Sequence, residues 1–278
     1  MWGVRTESGP ATLRVERAGP DRLRLHGVGP GAEAVLEAAP AALGLDRPPP
    51  APETLPHGAR RLARAARGLR LQRLPGWLAP LTLLVLQQKV SGKEAARAHR
   101  ELIRAISEPA PGPEAEAASL WLPPSTEALR RLPEWACAPL GIPPRQGEVL
   151  RRIGFQAGRI EGLRALPEVE AAKRLLTIPG VGPWTASSLL LLAAGAEDRV
   201  PVGDLHLPSL VAHTLAGEPR ADDARMLELL EPHRGHRGWM IRWIEAVGQP
   251  PLRRHPRKPL RPLPEGRDAA LGALRRSR

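Results

Sequence analysis

Three features of the 278-residue sequence predict a mainly α-helical protein with a small N-terminal antiparallel α/β unit. Leu and Ala dominate, β-branched residues are few and Tyr is absent, a balance that favours helix over strand. The 33 prolines divide the chain into short helices, because each removes an amide donor and clashes with the preceding turn. A two-residue apolar alternation, the signature of a strand pair, occurs at residues 10–28.

In that N-terminal segment Leu13 and Val15 precede Ala18-Gly19-Pro20-Asp21, and Leu23 and Leu25 follow it. Strands on both sides of a Gly-Pro turn make a hairpin. A helix is predicted from Ala32 to Leu43, and Pro48-Pro49-Pro50 with Pro52 closes the unit at residues 1–52. Nothing in it carries chemistry.

A basic amphipathic stretch, Arg60-Arg61-Leu62-Ala63-Arg64, opens the main domain, expected over residues 53–250. A helix from Pro80 follows, with Leu81, Leu84, Val85 and Gln88 at helical spacing, and leads into Gln87-Gln88-Lys89-Val90-Ser91-Gly92-Lys93. Residues 107–126, rich in Pro, Ala and Glu, are expected to form a loose connection. Helical patterns resume at Thr126–Leu132.

The stretch from Thr177 to Leu207 organises the rest. A helical pattern over Val169–Leu176 ends in the turn Ile178-Pro179-Gly180-Val181-Gly182-Pro183, and a second helix runs from Trp184 to Ala194. Its Leu189–Leu192 run is apolar on every side, so that helix is expected to be buried. Two glycines around a small apolar residue allow φ > 0 and close approach to another surface, and the unpaired N–H groups where the next helix starts suit a phosphate. Asp204 then opens a further helix, another follows over Ala221–Leu230, and Trp239–Val247 forms the last helix of the domain.

Charge supports a polyanionic partner. The net charge is +12; residues 251–278 hold nine Lys or Arg against Glu265 and Asp268, or +7, and the first 250 residues hold +5. This Pro- and Arg-rich tail is expected to be disordered. No apolar run reaches the roughly 18 residues needed to cross a bilayer, and the N-terminus lacks a signal pattern, so a cytoplasmic protein is expected. Cys137 is the only cysteine, which excludes an intramolecular disulfide and a cysteine-ligated cluster; it reads as a small buried hydrophobe. His206, His213, His233 and His236 lack a zinc spacing.

Pro179-Gly-Val-Gly-Pro-Trp-Thr-Ala186, with an aspartate 22 residues after Gly182, resembles the helix-hairpin-helix DNA glycosylase superfamily and, within it, the bacterial DNA-3-methyladenine glycosylase II branch. The resemblance covers roughly residues 55–248. It implies two helical subdomains flanking a cleft, double-stranded DNA with a damaged base as the partner, no cofactor, a monomer, and no obligate protein partner. The single cysteine separates the chain from the iron–sulfur branch of that superfamily.

The resemblance also assigns roles. Asp204 is the candidate catalytic carboxylate, with an ordinary helix cap as the other reading of Gly203-Asp204-Leu205. Trp184 stands at the base-pocket tryptophan, core packing being the alternative, and His206, Trp239 and Trp243 are further pocket candidates. Gly180, Val181, Gly182 and Thr185 belong to the phosphate-holding hairpin, and hairpin carbonyls bind a monovalent cation in relatives with DNA. Gln87, Gln88, Lys89 and Ser91 match an element that enters DNA, with Lys89 at the wedge position; the other reading has the glutamines capping a helix and Lys89 solvated. Gly141-Ile142-Pro143-Pro144-Arg145-Gln146 resembles the turn before a helix that relatives present to DNA, which makes Arg145, Arg151 and Arg152 candidate backbone contacts, solvated surface arginines being the other reading. Trp184 occupies the place of the nucleophilic lysine of strand-cleaving members, which implies a monofunctional glycosylase acting on alkylated purines, or on another damaged base because Ser188 and Leu205 stand where relatives carry rings. A catalytically silent damage-sensing binder is the alternative from another class.

Overall fold

The computed structural model describes residues 1–251, 262 and 267–276. A meander of three antiparallel strands opens the chain: β1 (Trp2–Thr6), β2 (Gly9–Arg17) and β3 (Leu23–Val28), with β2 in the centre. Leu13 sits opposite both Trp2 and Gly27. The hairpin is where the alternation places it, but it gains β1, whose sequence WGVRT is too short and mixed to announce a strand. Helix α1 (Ala32–Ala42) covers one face of the sheet by packing Val35 and Ala39 on Ala11 and Leu13.

Two helical cores follow. After α2 (His57–Ala65), α3 (Leu78–Leu86) and α4 (Gly92–Ile106) begin the larger one. Helix α3 has no cap of its own at its start; the Glu161 carboxylate takes the N–H groups of Trp77, at 2.9 and 3.0 Å, and of Leu78, at 2.8 Å. The expected loose connection is instead ordered. It contains the short helix α5 (Pro113–Ala117), and a bridge pairs Pro109 with Trp121. Thr12 Oγ1 donates to Pro111 O at 2.6 Å and Arg5 Nε to Pro123 O at 2.8 Å, so the N-terminal sheet holds this segment in place.

Next come α6 (Thr126–Arg130), α7 (Glu134–Cys137), α8 (Pro144–Phe155), α9 (Ala157–Gly162), α10 (Glu168–Leu176) and α11 (Pro183–Ala193). Helix α11 is the spine of the molecule. Leu189 and Leu190 lie in the larger core and Leu191 in the second, as the all-round leucine run requires. That second core is built with α2 and with α12 (Leu207–Ala216), α13 (Asp223–Leu230) and α14 (Arg237–Val247). Cys137 is buried in the larger core, and burial pushes its thiol pKa up.

The tail expectation needs one correction. Arg267–Arg276 form a helix, α15, whose Leu274 is 6% exposed in the larger core beside α4 and α7. Leu271 and Leu274 recur at helical spacing and can dock, a signal outweighed in the sequence by the surrounding Pro and Arg. Residues 252–261, 263–266 and 277–278 lie outside the described residues. No helix among the described residues is long and apolar enough to cross a membrane.

Candidate active site

The turn between α10 and α11 is pinned by its apolar residues. Ile178 and Val181 are buried in the larger core, and Val181 N–H donates to Ile178 O at 2.9 Å. The glycines do different work. Gly180 has φ +95°, and a Cβ there would run into the Val149 side chain of α8, so the position demands glycine. Gly182 has φ −88° and ψ −178°, and a Cβ would meet nothing within 4 Å. Pro183 starts α11 with no N–H to satisfy. The N–H groups of Gly180, Gly182 and Trp184 meet no acceptor among the described residues, so open-sided donors stand at a helix N-terminus.

Beside them lies the carboxylate. Asp204 Oδ2 accepts the indole N–H of Trp184 at 2.8 Å, and Oδ1 accepts the backbone N–H groups of His206 and Leu207, both at 2.8 Å. Asp204 therefore caps the start of α12 and also grips the tryptophan of α11. Gly203, at φ +90°, turns the chain into this position.

Basic groups surround the turn. Arg152 Nη1 donates to Pro179 O at 2.9 Å and Arg159 Nη2 to Thr177 Oγ1 at 2.7 Å, while Arg145 stands exposed on the first turn of α8. The loop after α3 lies against the same turn: Gln88 Nε2 donates to Gly180 O at 2.8 Å and to Thr185 Oγ1 at 3.0 Å. Lys89, exposed, takes φ +56°, a left-handed conformation uncommon for a residue with a Cβ.

The chain is similar to the 3-methyladenine DNA glycosylase of Archaeoglobus fulgidus, with a TM-score of 0.74, 18% identity, and 87% of this chain and 84% of that one covered. It is also similar to the Clostridium acetobutylicum 8-oxoguanine glycosylase/lyase in complex with double-stranded DNA containing cytosine opposite 8-oxoguanine (TM-score 0.66, 13% identity, coverages 87% and 86%). A third likeness is to the Schizosaccharomyces pombe 3-methyladenine DNA glycosylase in complex with abasic DNA (0.56, 20%, 69% and 91%). No family model matches the sequence, and a comparison with curated proteins found no match. The chain has the helix-hairpin-helix DNA glycosylase fold.

Within this glycosylase fold, a bond from Trp184 ties Asp204 to the helix that follows Gly180 and Gly182, Gln88 ties the Lys89 loop to Gly180, and several other expectations are corrected. Trp239 and Trp243 are 1% exposed, packed against each other at a tilt of 33° with ring centroids 5.6 Å apart inside the second core. They offer no face to an incoming base; at i and i+4 of α14 they share the helix side turned inward. Gln88 and Thr185 are bonded to each other, so both brace the turn rather than face solvent. The Val181 side chain likewise points into the core. Ser91 is the N-cap of α4 in a capping box with Glu94. Gln87 caps the end of α3 through its backbone N–H, with its side chain partly buried. Arg151 Nη1 is turned to Leu132 O at 3.3 Å. His206 is exposed two residues after Asp204, and Leu205 between them is 85% exposed.

Three contributors escaped the sequence reading. Gln146, 4% exposed, donates through Nε2 to Gln88 O at 2.7 Å and so holds the Lys89 loop from beneath. Arg159 lies on the α9 side of the turn, and Asp223 accepts the N–H of Gly203 at 3.0 Å. None carries a spacing signal, since each acts across 18 to 58 residues of intervening chain. Among the described residues no group of three or more His, Cys, Asp or Glu could hold a metal ion.

Proposed function

We propose that the protein is a monofunctional DNA glycosylase that hydrolyses the N-glycosidic bond of alkylated purines, such as 3-methyladenine and 7-methylguanine, in duplex DNA. The observation that carries the reading is the Asp204 carboxylate hydrogen-bonded to Trp184 beside the open N–H groups of the turn. The fold shared with solved DNA glycosylases, two of them in complex with DNA, supports it.

The chemistry follows from the donors. Departure of a base builds positive charge on the deoxyribose, and a fixed carboxylate stabilises that oxocarbenium-like state or orients the attacking water. A carboxylate has about four acceptor sites. Asp204 uses three on Trp184, His206 and Leu207, which leaves one, on Oδ2, for the sugar or the water. Ring-alkylated purines already carry positive charge and leave without a strong acid, which suits a site with one carboxylate. A strand-cleaving reaction needs an amine nucleophile, and Trp184 fills that place.

Around this centre the backbone N–H groups of Gly180 and Gly182 hold the strand by phosphate without reading sequence. The target nucleotide leaves the stack, and the Lys89 stem fills the gap while its ammonium reaches phosphate. Trp184 lines the base pocket. Arg145 and Arg152 add backbone contacts. The partner is damaged double-stranded DNA, bound by a monomer without a cofactor.

The test is base release from a panel of single-lesion duplexes, with borohydride trapping for a Schiff base. Release of alkylated purines, loss of release in Asp204→Asn with binding retained, and no trapped complex are expected. Release of oxidised or deaminated bases alone would move the substrate class. Binding without release of any base would leave a damage-sensing module.

A further inference from the structure

We infer that Asp223 is a positioning residue for Asp204, holding the loop before the carboxylate from the neighbouring helix α13. This rests on the proposed role of Asp204 and deepens it. Asp204 is fixed on its C-terminal side by its own two bonds to His206 and Leu207, and across the site by Trp184. On its N-terminal side, Val200 and Val202 pack in the second core, which leaves the Gly203 peptide as the part of the loop next to Asp204 without an apolar anchor. Gly203 sits at φ +90° with only Trp184 Cβ, at 3.7 Å, near where a side chain would begin. Its N–H is taken by Asp223 Oδ2 at 3.0 Å, a bond that reaches from one helix start to another.

Two further observations separate this bond from ordinary helix capping. The cap of α13 is Asp222, whose Oδ1 accepts the N–H of Arg225 at 2.9 Å. Asp223 is therefore spare for that purpose. Its other oxygen, Oδ1, is buried with no hydrogen-bond partner, an unfavourable state for a carboxylate. The oxygen is held out of water by the geometry that lets Oδ2 reach Gly203. A carboxylate so placed sets the peptide plane between Val202 and Gly203, and with it the direction in which the next residue, Asp204, leaves the backbone. Small displacements of a catalytic group cost rate steeply.

The experiment compares Asp223→Ala, Asp223→Asn and Asp222→Ala in the full-length protein, by two readouts. The first is single-turnover base release from an alkylated duplex, with duplex affinity measured alongside. The second, which needs no DNA, is the indole N–H resonance of Trp184, assigned by its loss in Trp184→Phe. Asp223→Ala is expected to slow release by about tenfold or more with affinity unchanged, and to shift the Trp184 resonance. Asp223→Asn, whose amide oxygen still accepts the Gly203 N–H, restores both. Asp222→Ala lowers thermal stability and leaves both unchanged. Wild-type rate and resonance in Asp223→Ala, or an asparagine variant as impaired as the alanine one, would overturn the inference. If Asp223→Ala does not fold, Asp223→Ser keeps a polar group at the helix start and removes the reaching oxygen. Should the wild-type protein release no base at all, the glycosylase reading fails, while the indole resonance still decides what Asp223 does.

Discussion

The two ends of helix α11 make opposite use of charge. At its C-terminal end, between Ala193 and the N-terminal unit, lies a cavity of about 680 Å³. The ionic groups around it are paired, Arg73 with Asp46, Arg47 with Glu197 at 3.5 Å, Arg164 with Glu161 at 3.6 Å, Arg199 with Glu168 at 2.6 Å and Arg237 with Asp198 at 2.6 Å, although Arg73 Nε is buried with no partner. At the N-terminal end the turn N–H groups are open and Asp204 keeps an acceptor site. Paired charges produce little net field, whereas unpaired donors at a helix start hold a standing attraction for an anion.

Breaking the N-terminal end gives the largest effects. Asp204→Asn replaces a carboxylate by an amide and is expected to lower single-turnover base release by about 100-fold or more, the scale of losing an electrostatic stabiliser. Duplex affinity, measured by fluorescence anisotropy, stays within about threefold because the turn is untouched.

The two glycines sharpen the contrast inside that end. Gly180→Ala combines a positive φ with a clash against Val149 and is expected to cost about 2–4 kcal/mol of stability in urea titration. Gly182→Ala has an ordinary backbone and open space, so stability is retained. A methyl group at the phosphate approach instead weakens duplex binding by about tenfold, roughly the worth of one charge-assisted hydrogen bond.

Smallest is a change at the matched end. Burial raises the Asp198 pKa, but hydrogen bonds from the Arg237 guanidinium and from the N–H groups of Arg237 and Gly235 outweigh it, leaving the carboxyl below its ordinary value. A lowered folded-state pKa contributes stability that is fully present above the ordinary aspartate range and lost as pH falls through the lowered value. Asp198→Asn is expected to cost about 1 kcal/mol or less at neutral pH, given its solvent exposure. That difference shrinks in acid, by thermal melts across pH, and base release is unaffected.

Much of this was legible in the chain. The leucine run of α11 announced a buried helix because no side of it is polar. The PGVGPWTA segment announced a turn and helix start because Gly and Pro restrict the backbone locally. Asp204 was legible as a helix-start carboxylate, and its Oδ1 does take the N–H groups of His206 and Leu207; the catalytic role the resemblance implied stays part of the proposal. The tryptophans of α14 misled because residue type says what a ring can do and not which way it faces.

By itself, then, the sequence determined what depends on neighbours along the chain: helix periodicity, turn chemistry, the charge excess and the single cysteine. Only the tertiary structure decided which donors and acceptors would be consumed and which left open. Gln88 was spent on Gly180, Glu161 on the start of α3 and Asp223 on Gly203, each across a chain separation that no local pattern records. A hydrogen bond between distant residues leaves no periodic trace, because either partner alone is an ordinary surface residue until packing brings them within 3 Å.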